Sequence, residues 1–243
     1  MSLALKETSQ DRLALQAQEL NARYGHLSAQ PLLEVCLKEL FLDKIAVVSS
    51  FGTEAAIVLQ LVSQIDKNVP ILFIDTLKHF METLTYRDIL LGRFGFTDAR
   101  SIKPDPLDLA AIDPKDDLWS RHTNQCCHIR KVLPLERGLK DFSSWVTGRK
   151  RYQNDERTQM LKFEAANGRI KINPLADWSP DDVQQAFKDY KLPKHPLFDE
   201  GYASVGCSPI ACTRRIEKDE DQRAGRWSGL DKTECGIHLD YTI

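Results

Sequence analysis

Short apolar runs alternate with stretches of helical spacing along much of the chain. The apolar runs at 44–49 and 69–75 end in polar residues, and each is followed by a helical pattern, at 55–62 and 80–94. Weaker runs indicate strands at 97–102, 143–148 and 169–173, and further helical patterns lie at 126–140 and 180–190. This alternation predicts an α/β fold in which helices flank a parallel sheet.

The two ends of the chain differ from this middle region. Leu and Ala recur with helical spacing over 2–23 and 31–42, whereas the pattern becomes irregular from about residue 190. We therefore predict N-terminal helices at 1–43, an α/β core at 44–206 and a C-terminal tail at 207–243, all within a single domain. Cys36 falls on the apolar stripe of the second helix and is expected to be a core residue.

Composition limits the classes of partner. The formal net charge of -2, with 28% charged residues, gives no reason to expect a nucleic-acid partner. The N-terminus lacks the basic start and apolar centre of a signal peptide, and no apolar run is long enough to cross a bilayer. We expect a soluble, cytoplasmic protein with no membrane partner. Thiols stay reduced in that compartment, so the six cysteines favour metal binding or catalysis over disulfides.

Residues 49–54, Ser-Ser-Phe-Gly-Thr-Glu, join the first predicted strand to its helix. Ligands of parallel sheets bind beyond the carboxyl ends of the strands, and N–H groups at a helix N-terminus stabilise anions. The turn is therefore a candidate phosphate site, although Ser and Thr are also ordinary helix caps. Asp75 and Thr76 end the second strand at the same edge, where they either orient a ribose or base or cap the next helix.

Four cysteines form two close pairs that folding could bring together, Cys126 with Cys127 and Cys207 with Cys212. Four thiolates are the ligand set of tetrahedral zinc or of an iron–sulfur cluster. Adjacent side chains on a helix diverge by about 100°, which suits a cluster with several iron atoms better than one zinc ion. Buried or disulfide-linked cysteines are the alternative.

Basic residues are concentrated at two places. Gly-Arg-Lys-Arg at 148–151 is followed by Arg157, and Arg-Ala-Gly-Arg-Trp at 223–227 precedes the end of the chain. Guanidinium groups bind phosphate and sulfate oxygens through paired hydrogen bonds, so a dianionic or trianionic ligand would account for both groups. A solvated face is the alternative. Arg130 and Lys131 lie one helical turn beyond Cys127, where they would face a cluster, a substrate or solvent.

Cys235 lies eight residues from the end of the chain, within Lys-Thr-Glu-Cys-Gly-Ile-His-Leu at 232–239. A terminal segment is mobile unless something docks it, so this thiol could approach a bound substrate and then a second protein. His238 is expected to hold a phosphate or to help the thiol ionise. Cys235 is thus a candidate nucleophile, with an unremarkable cysteine as the alternative.

These motifs together resemble those of the sulfonucleotide reductases of assimilatory sulfate reduction. The resemblance runs from about residue 40 to the end; the terminal peptide at 234–239 is its most specific motif and the turn at 50–54 its least. The other matching segments are 75–76 with 82–83, 126–127, 147–157, 173–175, 201–207, Cys212 and 223–227.

The resemblance implies an adenine-nucleotide α-hydrolase-like fold and the reduction of adenylyl sulfate, or of its 3′-phosphorylated form, to sulfite. Members with both cysteine pairs carry a [4Fe-4S] cluster and resemble the adenylyl-sulfate type. We therefore expect an adenosine 5′-phosphosulfate (APS) reductase that takes its electrons from thioredoxin or glutaredoxin. The core would bind the nucleotide, and the tail would bind the cluster and carry the catalytic residue. Assembly into a homo-oligomer is compatible with this expectation. The expected cluster ligands are Cys126, Cys127, Cys207 and Cys212.

The resemblance also assigns the remaining site residues. Cys235 would attack the sulfonate sulfur and release AMP, and a partner thiol would then free sulfite from the cysteine thiosulfonate. Lys131, Arg223, Arg226 and His238 would surround the phosphosulfate. The other expected substrate-binding residues, which include those framing the adenosine, are Ser50, Phe51, Gly52, Thr53, Glu54, Asp75, Arg151 and Arg157.

Two features depart from the family pattern. Cys207 and Cys212 are separated by four residues instead of two, so that either both thiolates stay on the cluster or one is weakened or lost. Leu77 stands where the family often has Gly. Three other functions stay open: a phosphoadenylyl-sulfate (PAPS) reductase, an ATP-using sulfur-transfer enzyme, whose usual phosphate loop residues 49–55 do not match, and a non-catalytic iron–sulfur redox sensor.

Overall fold

A six-stranded sheet forms the centre of the protein, whose computed structural model describes residues 8–208, 212–230 and 232–238. The strands are β1 (Ile45–Val48), β2 (Ile71–Ile74), β3 (Ala99–Ile102), β4 (Ser144–Val146), β5 (Phe163–Ala166) and β6 (Arg169–Ile172). They lie in the order β3-β2-β1-β4-β6-β5. Neighbouring strands run parallel from β3 to β6, and β5 pairs with β6 in the antiparallel sense.

Helices flank the sheet. They are α1 (Ser9–Tyr24), α2 (Ala29–Val35), α3 (Ala55–Ser63), α4 (Met81–Phe94), α5 (Pro106–Ile112), α6 (Leu118–Arg121), α7 (Thr123–Cys127), α8 (Leu133–Gly138) and α9 (Pro180–Asp189). The π-helical turns Cys36–Leu40 and His128–Val132 extend α2 and join α7 to α8. Short 3₁₀ turns lie at Arg151–Gln153, Asp155–Arg157, Phe198–Glu200 and Gly236–His238. Within the described ranges, no helix combines the length and apolar character needed to span a membrane.

The central strands are buried on both faces. Every residue of β1 and β2 is apolar and buried, as expected for strands that are covered by helices on each side. Val47 and Ile71 contribute to the larger core, which also contains α2, α3 and the buried Cys36. Ala46 and Leu72 face the smaller core, beneath α8. Because both faces are apolar, these strands could be predicted directly from continuous apolar runs.

The predicted α/β architecture is confirmed, and four elements differ from expectation. Strand β5 and the short helices α5 and α6 were not predicted. The helix expected at 126–140 already begins at Thr123 as α7 and continues through His128–Val132 into α8, so Cys126 and Cys127 lie one turn inside the helix instead of opening it. The reason is that the Thr123 hydroxyl donates to the carbonyl oxygen of Trp119 at 3.0 Å, which satisfies the end of α6 and lets the next helix start at once.

The two edges of the sheet are protected differently. At β5, the Asn21 side chain of α1 lies along the backbone of Phe163: its Nδ2 donates to the carbonyl oxygen at 2.6 Å, and its Oδ1 accepts from the N–H at 3.0 Å. This amide occupies the place of a further strand. At the opposite edge, the residues of β3 are largely exposed and include Arg100, paired with Asp98. Charge on an edge strand discourages pairing with another chain.

The segment that follows α9 returns to the carboxyl ends of the strands. Just beyond β2, His79 forms an isolated backbone bridge with Cys207, and the Thr53 hydroxyl donates to the carbonyl oxygen of Ala203 at 2.9 Å. A second bridge joins Thr213 to Arg226. The C-terminal segment therefore covers the edge at which most of the predicted site residues lie.

Candidate active site

A cavity lies at the carboxyl ends of β1 and β4, beneath the C-terminal segment. Its wall combines the turn after β1, the residues after β4 and three parts of the C-terminal segment. Ten of the predicted site residues line it: Ser50, Gly52, Thr53, Glu54, Lys131, Arg157, Arg223, Arg226, Cys235 and His238. Folding thus brings together residues that are up to 188 positions apart in the sequence, from 50 to 238.

The turn after β1 presents backbone and small side chains to this cavity. Phe51 adopts a left-handed backbone conformation, with φ 48°, and its ring is fully buried edge-on against Phe73, with the ring centroids 5.5 Å apart. Ser50 and Gly52, on either side, line the cavity while the Phe51 ring belongs to the core. A left-handed non-glycine residue costs free energy and is often found at functional sites.

Glu54 ties the cavity wall together. Its Oε2 accepts hydrogen bonds from Lys150 Nζ at 2.6 Å and Gln153 Nε2 at 2.9 Å. Its Oε1 accepts from Tyr152 OH at 2.9 Å and Gln222 Nε2 at 2.7 Å. Burial acts to raise the pKa of Glu54, but the adjacent Lys150 ammonium lowers it overall. With four donors on its two oxygens, this carboxylate connects three segments of the wall.

Six cationic side chains line the cavity: Lys131, Arg149, Lys150, Arg157, Arg223 and Arg226. Burial, together with the charges of Arg157 and Arg226, lowers the pKa of Arg223 to about 10. Burial also lowers the pKa of Arg149, against the attraction of Glu164. Buried cations that repel one another are stabilised by an anion among them. The cavity therefore favours a ligand with more than one negative group.

Arg226 is held by a carbonyl and an aromatic ring. Its Nε donates to the carbonyl oxygen of Cys212 at 3.1 Å, and its guanidinium lies 4.5 Å from the centre of the Trp227 ring. In the described part of the chain, no carboxylate lies within salt-bridge distance of it. Gly206 lies against the guanidinium, where a Cβ would come within 2.2 Å of Nη2. Arg226 therefore keeps its charge available to a ligand.

Three other predicted substrate-binding residues have partners within the protein. Arg157 donates through Nε and Nη2 to the two carboxylate oxygens of Glu234, at 2.6 and 2.8 Å. The Nε of Arg151 donates to the carbonyl oxygen of Met160 at 2.8 Å. Asp75 is buried, and its Oδ1 accepts from the N–H of Leu77 at 3.1 Å. Arg151, Asp75 and Phe51 lie outside the cavity lining, so their contact with a nucleotide stays a prediction.

Cys235 is half-buried at the cavity wall. Its backbone N–H donates to Glu234 Oε1 at 2.8 Å, and its carbonyl oxygen accepts from the N–H of His238 at 2.9 Å. His238 stacks on Trp145 with nearly parallel rings. Burial and the nearby Arg149 lower the pKa of His238 well below its usual value. These surroundings therefore favour the neutral form of the His238 imidazole.

The four cysteines of the two close pairs are buried, and none of them forms a disulfide. Burial, with the charges of Cys127 and Cys207, raises the pKa of Cys126 to about 12. Cys207 and Cys212 both pack on Trp227, with Cys235 beside them. Across the described ranges, no three His, Cys, Asp or Glu side chains converge on the position of a single metal ion. The two cysteine pairs are therefore neighbours without forming a site for one ion.

Lys131 lies between the cysteines and the cavity. Burial disfavours its charged form, but the neighbouring thiols of Cys207 and Cys235 raise its pKa overall. Burial likewise disfavours the thiolate of Cys207, yet Lys131 and a contact with the Thr76 hydroxyl at 3.5 Å lower the pKa of that thiol. A buried ammonium and a buried thiol thus stabilise each other's charged form at the wall of the cavity.

Several residues that build this site had no role assigned from the sequence. Gly206 and Glu234 were within the matching motifs, and Lys150 was within a basic run, but Gln222 carried no signal. Their partners are 20 to 168 positions away. Glu234, directly before the candidate nucleophile, is the residue that spacing alone could have indicated.

Comparison with known proteins gives a consistent picture. Residues 44–214 match the phosphoadenosine phosphosulfate reductase domain family. An adenosine 5′-phosphosulfate reductase of Mesorhizobium japonicum is 47% identical over 229 residues, covering 94% of this chain and 89% of that protein. A protein of the same name from a Chelativorans species is 46% identical over 227 residues, covering 93% and 91%.

A solved structure has the same overall fold. The PAPS reductase of Candida auris, crystallised as a phosphate complex, superposes with a TM-score of 0.65 at 25% sequence identity, covering 85% of this chain and 98% of that one. The two sets of comparisons thus agree on one family.

Proposed function

Because the chain belongs to the phosphoadenosine phosphosulfate reductase family, we propose that it reduces APS to sulfite and AMP. The observation that carries this proposal is the position of Cys235, whose thiol lies at a cavity lined by Lys131, Arg223 and Arg226. The names of the two relatives at 46% and 47% identity support APS as the nucleotide.

The phosphosulfate binds among the cations. Its two adjacent anionic groups match a cavity in which the charges of Arg157 and Arg226, together with burial, lower the pKa of Arg223. Lys131 and Arg226 meet the phosphosulfate, and residues 50–54 frame the adenosine, with the turn's N–H groups directed at an anion. Ser50, Gly52, Thr53 and Glu54 are the residues of this turn that line the cavity, and contact of Phe51, Asp75 and Arg151 with the nucleotide stays a prediction.

Cys235 then acts as the nucleophile. Its thiolate attacks the sulfonate sulfur, the bond from that sulfur to the AMP oxygen breaks, and AMP leaves with the electron pair. The product is a cysteine thiosulfonate on Cys235. Cations placed around the departing phosphate stabilise the charge that develops on it.

A dithiol protein of the thioredoxin or glutaredoxin type completes the reaction. One of its thiolates attacks the Cys235 sulfur and releases sulfite, leaving a mixed disulfide. Its second thiol then attacks that disulfide, so that the partner departs oxidised and Cys235 is regenerated. Both electrons come from the partner. The half-exposed position of Cys235 supports this second step, since the sulfur must be reached from outside.

The four buried cysteines fit a [4Fe-4S] cluster better than a single ion. Cys126 and Cys127 are adjacent, and in a cluster each thiolate binds a different iron atom, so the ligands need not converge on one point. Cys207 and Cys212 pack together on Trp227 despite their wider spacing; residues 209–211 between them lie outside the described ranges. When bound, the cluster would supply an anionic group beside Lys131 that tunes the field at the phosphosulfate.

The test of the reaction is a sulfite assay with APS and PAPS under thioredoxin reduction. We expect faster turnover of APS. Cys235→Ser should abolish sulfite formation and retain nucleotide binding, while Cys36→Ala, which removes a core thiol far from the cavity, should stay active. Full activity in Cys235→Ser would refute the nucleophile. Faster turnover of PAPS would instead support the second candidate function, which the fold shared with the Candida auris PAPS reductase favours.

The test of the cluster is iron and labile-sulfide analysis after anaerobic purification. The visible absorbance of iron–sulfur should be present in the unmodified chain and lost in Cys127→Ser and Cys212→Ser. The same Cys36→Ala variant is the matched control and should keep its iron. Iron retained in Cys212→Ser alone would mean that the widened pair contributes only Cys207.

A further inference from the structure

The short tail segment at 232–238 is fastened to the cavity wall by a buried ion pair. Arg157 and Glu234 are 5% exposed each, and the guanidinium donates through Nε and Nη2 to both carboxylate oxygens, at 2.6 and 2.8 Å. Fork-shaped contacts of this kind fix orientation as well as distance. The backbone N–H of Cys235 donates to the same carboxylate at 2.8 Å.

We propose that Arg157 and Glu234 are positioning residues that hold Cys235 at the cavity, and that Arg157 serves the tail instead of binding the substrate. The proposal deepens the function proposed above and rests on it for the role of Cys235. The pair itself, and its effect on the tail, do not depend on which nucleotide reacts.

The first support is the way in which Arg157 is held. It ends the 3₁₀ turn Asp155–Arg157, and its N–H donates to the Asn154 side chain at 3.1 Å. Arg157 Nη1 also donates to Gln153 Oε1, and Gln153 in turn donates to Glu54. The guanidinium is therefore held on the cavity wall by contacts that do not involve Glu234.

The second support is that the neighbouring hydrogen bonds of the tail are longer or more exposed to water than those between Arg157 and Glu234. The carbonyl oxygen of Thr233 accepts from Asn154 Nδ2 at 3.4 Å and from Arg223 Nη2 at 3.3 Å, at exposed positions. Lys232 donates to Asn124, also at an exposed position. Exposed contacts contribute little to stability because water competes for them. Among the described side-chain hydrogen bonds of 232–234, those between Arg157 and Glu234 are the buried ones.

The third support is the distribution of charge. Glu234 satisfies Arg157 with two hydrogen bonds, and Arg223 lies 3.6 Å from the same carboxylate. An anion that took Arg157 from Glu234 would leave this buried carboxylate with only the longer contact to Arg223 and the N–H of Cys235. Lys131 and Arg226 can meet the phosphosulfate without this exchange. Substrate binding and placement of the thiol are then compatible.

The experiment combines hydrogen exchange with steady-state kinetics. The variant is Glu234→Gln, and the matched control is Glu220→Gln, which breaks a two-bond pair with Arg214 in the same C-terminal segment but away from the cavity. Hydrogen–deuterium exchange is measured by mass spectrometry on the peptide covering 232–238 in the protein without nucleotide. Arg157→Lys, which keeps the charge but not the fork, and Glu234→Asp provide graded variants that retain the ion pair.

We expect Glu234→Gln to exchange faster at 232–238 and at no other core peptide, and kcat to fall by about 10²-fold, as for a misplaced reacting group, with little change in KM for the nucleotide. Arg157→Lys and Glu234→Asp should be intermediate, and Glu220→Gln should match the unmodified chain. Native exchange in Glu234→Gln would overturn the proposal, as would a KM that rises in Arg157→Lys while kcat is kept. A chain that reduces neither nucleotide but shows the faster exchange would refute the function and leave the pair's effect on the tail intact.

Discussion

Gly206 lies directly against the guanidinium of Arg226, so closely that a Cβ on the glycine would come within 2.2 Å of Nη2 and 2.4 Å of Cζ. The glycine at position 206 is not required for its backbone conformation, because Gly206 has no positive φ. What is required is space. The absence of one side chain lets Arg226 lie beside the backbone and over Trp227, 4.5 Å from its ring.

Gly206→Ala is therefore expected to move Arg226 while leaving the fold intact, since the clash is with the end of a flexible side chain. The affinity for nucleotide should fall about tenfold, equal to about 1.4 kcal/mol, as when one hydrogen bond to a charged group is lost. Isothermal titration with AMP and with APS on a Cys235→Ser background measures this. Gly92→Ala, on α4 with no atom within 4 Å of a new Cβ, is the control. Unchanged affinity in Gly206→Ala would show that Arg226 does not meet the anion.

Leu77 is a leucine whose backbone adopts the left-handed conformation usually found at glycine. It has φ 60° and is 51% exposed, so a leucine in the loop after β2 has the left-handed backbone conformation that favours glycine. A left-handed non-glycine residue costs about 1–2 kcal/mol, whereas glycine loses about 0.5–1 kcal/mol more entropy on folding. Leu77→Gly should therefore raise the free energy of unfolding by up to about 1 kcal/mol, measured by urea denaturation.

The control for this prediction is Leu107→Gly, which replaces an 80% exposed leucine inside α5. There the same change of residue should lower the free energy of unfolding by about 1 kcal/mol. If both variants were destabilised equally, the conformation of Leu77 would carry no strain.

Arg130 is buried in a network of hydrogen bonds instead of being solvated, and its charge also acts to lower the pKa of the nearby Cys126. Its Nη2 donates to Asp113 at 2.8 Å and Asp116 at 2.6 Å, and its Nη1 donates to the carbonyl oxygen of Thr76 at 3.1 Å. Removing one partner of a buried ion pair costs about 3–5 kcal/mol, and we expect Arg130→Leu to lose that much stability. Arg121→Leu, which breaks the exposed pair with Asp117, should cost no more than about 1 kcal/mol. Thermal unfolding of the two variants separates the cases.

The Arg157–Glu234 pair predicts a pH dependence of stability. Although burial acts to raise it, hydrogen bonds and the charge of Arg157 lower the pKa of Glu234 from 4.5 to about 2. A carboxyl group with a lower pKa in the folded state stabilises the fold above its unfolded pKa, and this contribution is lost as the pH falls from about 5 to about 2. Its size is at most about 3 kcal/mol.

Glu234→Gln mimics the protonated side chain, so its deficit in unfolding free energy should be greatest above pH 5 and should vanish near pH 2. Denaturant titrations at four pH values between 2 and 7 measure this convergence. Glu220→Gln should show a smaller deficit, because its pair with Arg214 is about 30% exposed and water screens it. A deficit in Glu234→Gln that is independent of pH would mean that charge does not hold the pair.

The elements that could be predicted are those whose signal is local. Strands β1 and β2 are continuous apolar runs because both of their faces are buried, and the turn between β1 and α3 is marked by Ser and Gly. Strand β5 was missed because Phe-Glu-Ala-Ala has no clear period, although the left-handed Asn167-Gly168 turn that joins it to β6 is a hairpin signal that the sequence does carry. Helices α5 and α6 are seven and four residues long, too short for a periodic pattern.

The candidate site divides in the same way. Cys235, Arg223 and Arg226 could be predicted because they lie in short motifs with distinctive chemistry. The connections of Glu54 could not, since Lys150 and Gln222 are 96 and 168 positions from it and no local pattern links them. Arg157 lines the cavity, but its carboxylate partner is 77 positions away, and only the folded chain brings the two together.

The Asn21 amide that covers the backbone of Phe163 links solubility to the first helix. Without α1, the outer side of β5 would present an unsatisfied N–H and C=O to solvent, an invitation to strands from other molecules. The Asn21 side chain, which lies outside the candidate active site, would then help to prevent self-association of this reductase. Any shortening of the protein at its amino end should be judged by light scattering as much as by turnover.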